Sequence, residues 1–253
     1  MKLAVEFPSI SYREGHAAVA KMAKGIEDIG YDQLDVYDHV VMGYDIEGRT
    51  KSYYPAQMPI IEAFMMLSYA AAVTEKIGLG TEVLVLPQRQ PALVAKQVSS
   101  LDTLSNGRVR LGIGVGWQES EYEALGENFK DRGRRMDEAI DLLRTYWRDE
   151  RIDFESKHYP TEAMAMEPKP PQSGVLPVWI GGNTPPAFRR VGQKGDGRNK
   201  ELGPANGSML VRPCWHHLQG RHRVLLGDQL VGRPRARGEA HLHQPNHRHR
   251  QRR

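Results

Sequence analysis

The sequence predicts an α/β fold built on a parallel sheet. Three observations within residues 1–197 carry that expectation: short runs rich in Val, Leu and Ile, intervening segments whose apolar residues recur at helical spacing, and Gly-, Asn- or Pro-bearing breaks between them. A chain of 253 residues with 40% hydrophobic residues is long enough to bury a sizeable core.

Strands are expected at residues 2–7, 33–41, 77–86, 108–115 and 176–181, apolar enough to be covered on both faces. Between them, Met22, Ile26 and Ile29 mark a first helix and Ile60, Phe64, Leu67 and Ala71 a second. Val94, Val98 and Leu101 mark a third, and Met136, Ile140, Leu143 and Trp147 a fourth. The third helix should stop at Ser105-Asn106-Gly107, because Asn and Gly tolerate the left-handed conformation that ends helices. The Pro-rich stretch 167–172 reads as an irregular insertion.

Composition narrows the function classes. The single cysteine, Cys214, excludes an internal disulfide and any multi-cysteine metal site. The most apolar long run, residues 58–73, carries Glu62 and predicts an amphipathic helix, not a membrane span. The N-terminus passes from Lys2 directly into a strand pattern, so the expectation is no secretory leader and a cytoplasmic location.

Charge divides the chain in two. Residues 198–253 hold 12 Lys and Arg against 3 Asp and Glu, seven of the ten His, and no Ile, Phe, Tyr or Thr. Residues 1–197 are mildly acidic. The expected division is therefore a folded portion over 1–197 and a basic, disordered Arg/His-rich tail over 198–253. Three readings stand for the tail: translation in a shifted frame, which turns GC-rich coding DNA into Arg, Gly, Pro, Ala and His; a nucleic-acid-binding arm; or a His-rich metal tract at 216–217 and 241–249. The arm reading is disfavoured, since Trp215 alone is available for base stacking.

The polar residues and glycines that could carry chemistry fall toward the carboxyl ends of the expected strands, the active edge of parallel α/β folds. Ser9 follows the first strand, Asp38 and His39 close the second, Glu82 and Val83 lie in the third, Gly114, Gly116 and Trp117 end the fourth, and Gly181, Gly182 and Asn183 end the fifth. A neutral imidazole near pH 7 can give or take a proton, and Asp38 could bond a cofactor or a backbone donor. The same pair also reads as a buried, hydrogen-bonded histidine among valines, and the residues alone leave both readings open. Gly114 and Gly116 do not make a dinucleotide fingerprint, which needs a third glycine after the first strand and a helix directly behind. Trp117 is either a pocket wall or a packing residue. Gly181-Gly182-Asn183-Thr184 before Pro185 predicts a helix start able to bind an anionic group, with a plain strand-to-helix turn as the other reading. Arg89 and Arg189 could add charge there, but isolated arginines are usually just solvated.

Several passages, taken in order, resemble the bacterial luciferase-like family of flavin- and deazaflavin-dependent oxidoreductases. They are Val36-Tyr37-Asp38-His39-Val40, Gly80-Thr81-Glu82-Val83-Leu84 with Leu86-Pro87-Gln88-Arg89, Leu101 to Arg108, Gly112-Ile113-Gly114-Val115-Gly116-Trp117, and Trp179-Ile180-Gly181-Gly182. The likeness is greatest to the branch that uses the deazaflavin coenzyme F-420, with FMN as the alternative cofactor. It implies a TIM-type barrel of eight strands, truncated here to about five strand-helix units, and a small organic substrate. It further implies His39 and Asp38 as catalytic residues, and a cofactor site at Glu82-Val83, Gly114, Gly116, Trp117, Gly181, Gly182 and Asn183. A non-proline cis peptide at Glu82-Val83 would back the cofactor ring, and the glycines would let the cofactor approach the backbone. Family members often pair through outer helices, which makes a homodimer an expectation. If the frame is shifted, another frame of the DNA after codon 197 should encode the missing units. An open five-stranded arc would leave edges unpaired, so the chain as written is expected to be unstable or inactive.

Overall fold

The computed structural model describes residues 2–172 and 176–199, together with the backbone of 212–214. The elements run β1 (Lys2–Glu6), α1 (His16–Ile29), β2 (Gln33–Val36), α2 (Ala63–Val73), β3 (Gly78–Thr81), β4 (Leu84–Val85), α3 (Pro91–Leu104) and β5 (Val109–Gly114). They continue with α4 (Glu119–Ala124), α5 (Arg132–Arg148), β6 (Ile152–Phe154), β7 (Thr161–Met164), β8 (Val178–Gly181), α6 (Pro185–Lys194), β9 (Gly197–Asn199) and β10 (Arg212–Cys214).

Parallel strands stand in the order β1, β2, β3, β5, β8, β9, which is also their order along the chain. A doubly wound sheet reverses its strand order partway; this one does not, which is the signature of an arc of a (β/α) barrel. The TIM-type expectation therefore holds, as an incomplete barrel. β10 adds an antiparallel strand to β1 at the arc's first edge, with Lys2 opposite Cys214 and Ala4 opposite Arg212.

β5 shows how the sequence makes this arc. In Val-Arg-Leu-Gly-Ile-Gly, alternation sends Val109, Leu111 and Ile113 into the apolar core and leaves Arg110, Gly112 and Gly114 on the opposite face. All six residues are buried, as a strand covered on both faces requires. Arg110 reaches across β3 to the Asp35 carboxylate, donates to Asn199 Oδ1 at 2.7 Å and lies 4.4 Å over the Trp179 ring. The inner face is thus polar and internally paired, and the outer face is packed by helices.

The helical layer follows the sequence in part. Val94, Val98 and Leu101 of α3 are buried, as are Met136, Ile140, Leu143 and Trp147 of α5, and Trp147 Nε1 donates to Ala95 O at 3.1 Å. α3 stops where expected, at left-handed Asn106 (φ 58°) and Gly107 (φ 77°). The face of α1 is rotated from the expected one: Val19, Ala23 and Ile26 are buried, whereas Met22 and Ile29 are exposed. Ala23, fully buried, lets the helix approach closely. α2 begins at Ala63, so Ile60 precedes it, and Glu62 caps its start by accepting from Met65 N–H at 2.8 Å. The polar hairpin β6–β7 was not legible as strands. No helix among the described residues is long and apolar enough to cross a membrane.

The third expected strand is two: β3 pairs with β5 at Leu79↔Val109 and β4 pairs with it further along, at Leu84↔Ile113. The second is shorter than expected, ending at Val36. At the other end, Arg198 and Asn199 lie within β9, which pairs in parallel with β8 at Ile180↔Arg198, and Asn199 is buried. The expected division at 197/198 thus falls inside a strand. Trp215 and the His-rich stretches at 216–217 and 241–249 lie outside the described residues.

Candidate functional site

Because β2 ends at Val36, Asp38 and His39 sit in the loop just past its carboxyl end, not in the strand. Asp38 turns inward: Oδ2 accepts from Val85 N–H at 2.9 Å, and Oδ1 pairs with Arg89 Nη2 at 2.5 Å. Arg89 is no isolated surface arginine. Its other nitrogen, Nη1, pairs with Glu62 at 3.0 Å, so both carboxylates occupy it and it is not free for an acidic cofactor tail. Burial raises the Asp38 carboxyl above its ordinary range, opposed by the Arg89 charge and the Val85 N–H.

His39 points to a residue that the sequence reading missed. Its Nδ1 lies 2.9 Å from Glu121 Oε2 on α4. The other carboxylate oxygen accepts from Val40 N–H at 2.6 Å and Val41 N–H at 3.2 Å, and Gln88 Nε2 donates to Oε2 at 3.1 Å. The Glu121 side chain is 1% exposed. Burial pushes its carboxyl up, but the bonds from His39, Gln88 and Val40 outweigh that and hold it below its ordinary value. In sequence, Glu119-Ser120-Glu121 looks like a solvated acidic turn; only Tyr122 next door, fully buried and donating to Val115 O at 2.6 Å, signals an inward face.

The Glu82–Val83 peptide is cis, as the family resemblance implied. The Glu82 carboxylate lies 3.7 Å from Arg110, and the Val83 side chain stands against β5 and β8. A Cβ at Gly114 would lie 2.6 Å from Val83 Cγ2, and one at Gly181 would lie 2.9 Å from Val83 Cγ1. A Cβ at Gly116 (φ +68°) would meet Val85 Cγ1 at 2.6 Å. This corrects the expectation for these glycines: the room they leave is taken by two valines, which reach the strand ends because no side chain stands there.

Trp117 follows at once. Its ring centroid is 5.6 Å from His39 and 4.7 Å from Tyr53, both edge-on, and Tyr54 completes a half-open aromatic group. A continuous rim results, running from Trp117 and His39 through Asp38 and Val85 to Val83, Gly114 and Gly181.

The turn into α6 extends the rim, with one correction. Pro185 and Pro186 have no N–H, so two of the donors expected at this helix start do not exist, and Phe188 N–H is used by Thr184 O at 3.0 Å. What stands beside Gly182 (φ +120°) and Asn183 is a cation: Arg198 Nη2 donates to Asn183 Oδ1 at 2.7 Å and the guanidinium lies over Phe188 at 4.6 Å. Arg189 is exposed. Ser9 opens a 3-10 turn beyond β1.

A cavity of about 280 Å³ lies elsewhere, between α1 and α2, lined by Tyr12, His16, Val19, Ile61, Met65, Met66 and Tyr69. Its walls are mostly apolar and carry no carboxylate.

Comparison with known proteins bears on the family and the fold. The family model of luciferase-like monooxygenases matches residues 3–199. An uncharacterised protein of Mycobacterium bovis is 34% identical over 178 residues, covering 67% of this chain and 60% of that protein. The F420-dependent glucose-6-phosphate dehydrogenase of Nocardia farcinica is 30% identical over 203 residues, covering 77% of this chain and 56% of that enzyme. Among solved structures, a type II Baeyer–Villiger monooxygenase from Pseudomonas putida, in complex with FMN, superposes with a TM-score of 0.64 at 20% identity, covering 78% of this chain and 56% of that one. The chain thus spans between half and two thirds of the length of these relatives.

Proposed function

The chain belongs to the luciferase-like monooxygenase family, and on that premise we propose that it is an oxidoreductase that binds coenzyme F-420 on the strand-end rim and passes a hydride between it and a small organic substrate. The observation that carries this reading is the Val83 platform: an apolar side chain lies across two strand ends that carry none of their own, at Gly114 and Gly181. Such a surface suits the face of a planar tricyclic ring. Arg198 at the Gly182-Asn183 turn provides positive charge for an acidic tail.

The residues divide the work. Val83 holds the ring face and excludes water; Asp38, tied to Val85 and Arg89, fixes the loop that carries His39. His39 handles the proton that accompanies hydride transfer, with Trp117 and Tyr53 forming the wall on the substrate side. When bound, the deazaflavin would supply or accept the hydride, since carbon in place of the reactive flavin nitrogen favours that chemistry over oxygenation. The name of the Nocardia farcinica relative supports the deazaflavin.

The second reading is an FMN-dependent monooxygenase on the same rim: the family's description names monooxygenases, and the Pseudomonas putida neighbour is in complex with FMN. A reading of another class, a scaffold whose basic residues 198–253 bind nucleic acid, predicts binding that weakens steeply with salt and vanishes on deleting that segment. Titration of the full chain with coenzyme F-420 and with FMN, followed by fluorescence, separates the first two. Saturable binding of coenzyme F-420 with weaker FMN binding is expected; saturation by FMN alone, or by neither, overturns the proposal.

A further inference from the structure

We propose that Glu121 is the positioning residue that fixes His39 as its Nδ1–H tautomer, so that the Nε2 lone pair is the group that takes and returns the proton. The inference starts from what each atom of the carboxylate does. Oε1 accepts two backbone N–H groups, from Val40 and Val41; Oε2 accepts from Gln88 and faces His39 Nδ1 at 2.9 Å. An ionised carboxylate has no proton to give, so at this contact the imidazole must donate. Neutral histidine carries one ring proton, and with that proton on Nδ1, Nε2 is left as an acceptor. Among the described residues Nε2 has no hydrogen-bond partner.

The groups facing this pair are consistent with an ionised Glu121. Gln88 and the two backbone amides donate to it, Tyr122 on the same helix is committed to Val115 O, and Gln118 donates to Val41 O at 3.0 Å. Asp38 is the other carboxylate nearby, and Arg89 covers it. The same carboxylate that sets the tautomer therefore also holds the backbone of the two residues after His39. Loop position and ring protonation are fixed by one side chain, which reaches them from a different strand-helix unit.

This architecture makes one substitution diagnostic. In Glu121→Gln the amide oxygen keeps the two backbone N–H donors at the Oε1 position, which places the amide NH2 at the Oε2 position, against Nδ1. There it is a donor, and it turns His39 to the Nε2–H tautomer while the loop stays clamped. The change resembles the carboxylate-to-amide change in a serine-protease triad, where geometry survives and the tautomer is wrong.

The role assigned to Nε2 rests on the hydride-transfer reading above, whereas the tautomer itself does not, and the experiment separates the two. Long-range proton–nitrogen correlation spectra of the full chain, with the His39 signal identified by its loss in His39→Gln, are expected to show Nδ1 protonated in the unsubstituted protein. Glu121→Gln is expected to exchange the two nitrogen signals. An Nε2–H tautomer in the unsubstituted protein overturns the proposal even if the variant does not fold, and so does an unchanged tautomer in a folded Glu121→Gln. A second arm measures coenzyme F-420 binding and turnover. Glu121→Gln should bind the coenzyme within about twofold of the unsubstituted chain and turn over at least tenfold more slowly with KM little changed. If the tautomer exchanges but neither protein turns over coenzyme F-420, the hydride-transfer reading fails while the assignment of Glu121 stands. If both turn over equally, the assigned role of Nε2 is wrong.

Discussion

The two ends of the rim are built on opposite principles. At the His39 corner, carboxylates and amides from three units of the fold close on one another, and Asp38, Arg89, Glu121 and Gln88 all hold named bonds. At the turn before α6, two prolines remove donors and exposed residues lead into a helix start with no side-chain cap. The difference teaches where each kind of work is done: a proton-handling group needs one geometry, whereas a site for an acidic tail needs charge and access more than rigidity.

Breaking the crowded corner should therefore cost far more than altering the open turn. Arg89→Met leaves the buried Asp38 carboxylate without its cation, a loss of about 3 kcal/mol or more, to be read from denaturant unfolding. Glu121→Ala strands two backbone N–H groups and Nδ1 of His39, and about 2 kcal/mol is expected in the same measurement.

Acid should act on the same corner. Because Glu121 is held below its ordinary 4.5 in the folded chain, its contribution to stability is fully present above about pH 4.5 and is lost as the pH falls through the lower folded value. Thermal melts between pH 7 and 3 should show a shallower acid limb in Glu121→Gln than in the unsubstituted chain. Equal limbs would mean that the bonds seen at this carboxylate do not favour its charged form.

The smallest effect on stability belongs to the turn. Asn183→Ala should change unfolding by less than about 0.5 kcal/mol, as at other exposed positions. Its effect should appear in coenzyme affinity instead, a weakening of about fivefold, because Arg198 loses the amide that aims it. A large stability loss here with unchanged affinity would reverse the proposed division of labour.

What could be read from sequence follows the range over which each feature is determined. β5 declares itself by strict alternation within six residues, and α3 by apolar spacing followed by Asn106-Gly107, so both were legible. The buried face of α1 was not, because its contact residue is Ala23 and larger apolar residues on the other phase gave the stronger pattern. The rim glycines stand out in the sequence, but nothing local says that Val83 and Val85 fill the space they leave. Glu121 was missed because its partner is 82 positions away and its neighbours are acidic. Pro185 and Pro186 were visible all along; what they cost the helix start is a property of proline itself.

The central claim is the location of the site, on the strand-end rim and not in the apolar cavity between α1 and α2. Hydrogen–deuterium exchange of the full chain with and without coenzyme F-420 tests it most directly. Slowed exchange across residues 36–41, 82–85 and 181–184 is the predicted result. Protection centred on residues 12–19 and 61–69, with those three segments unchanged, would contradict it.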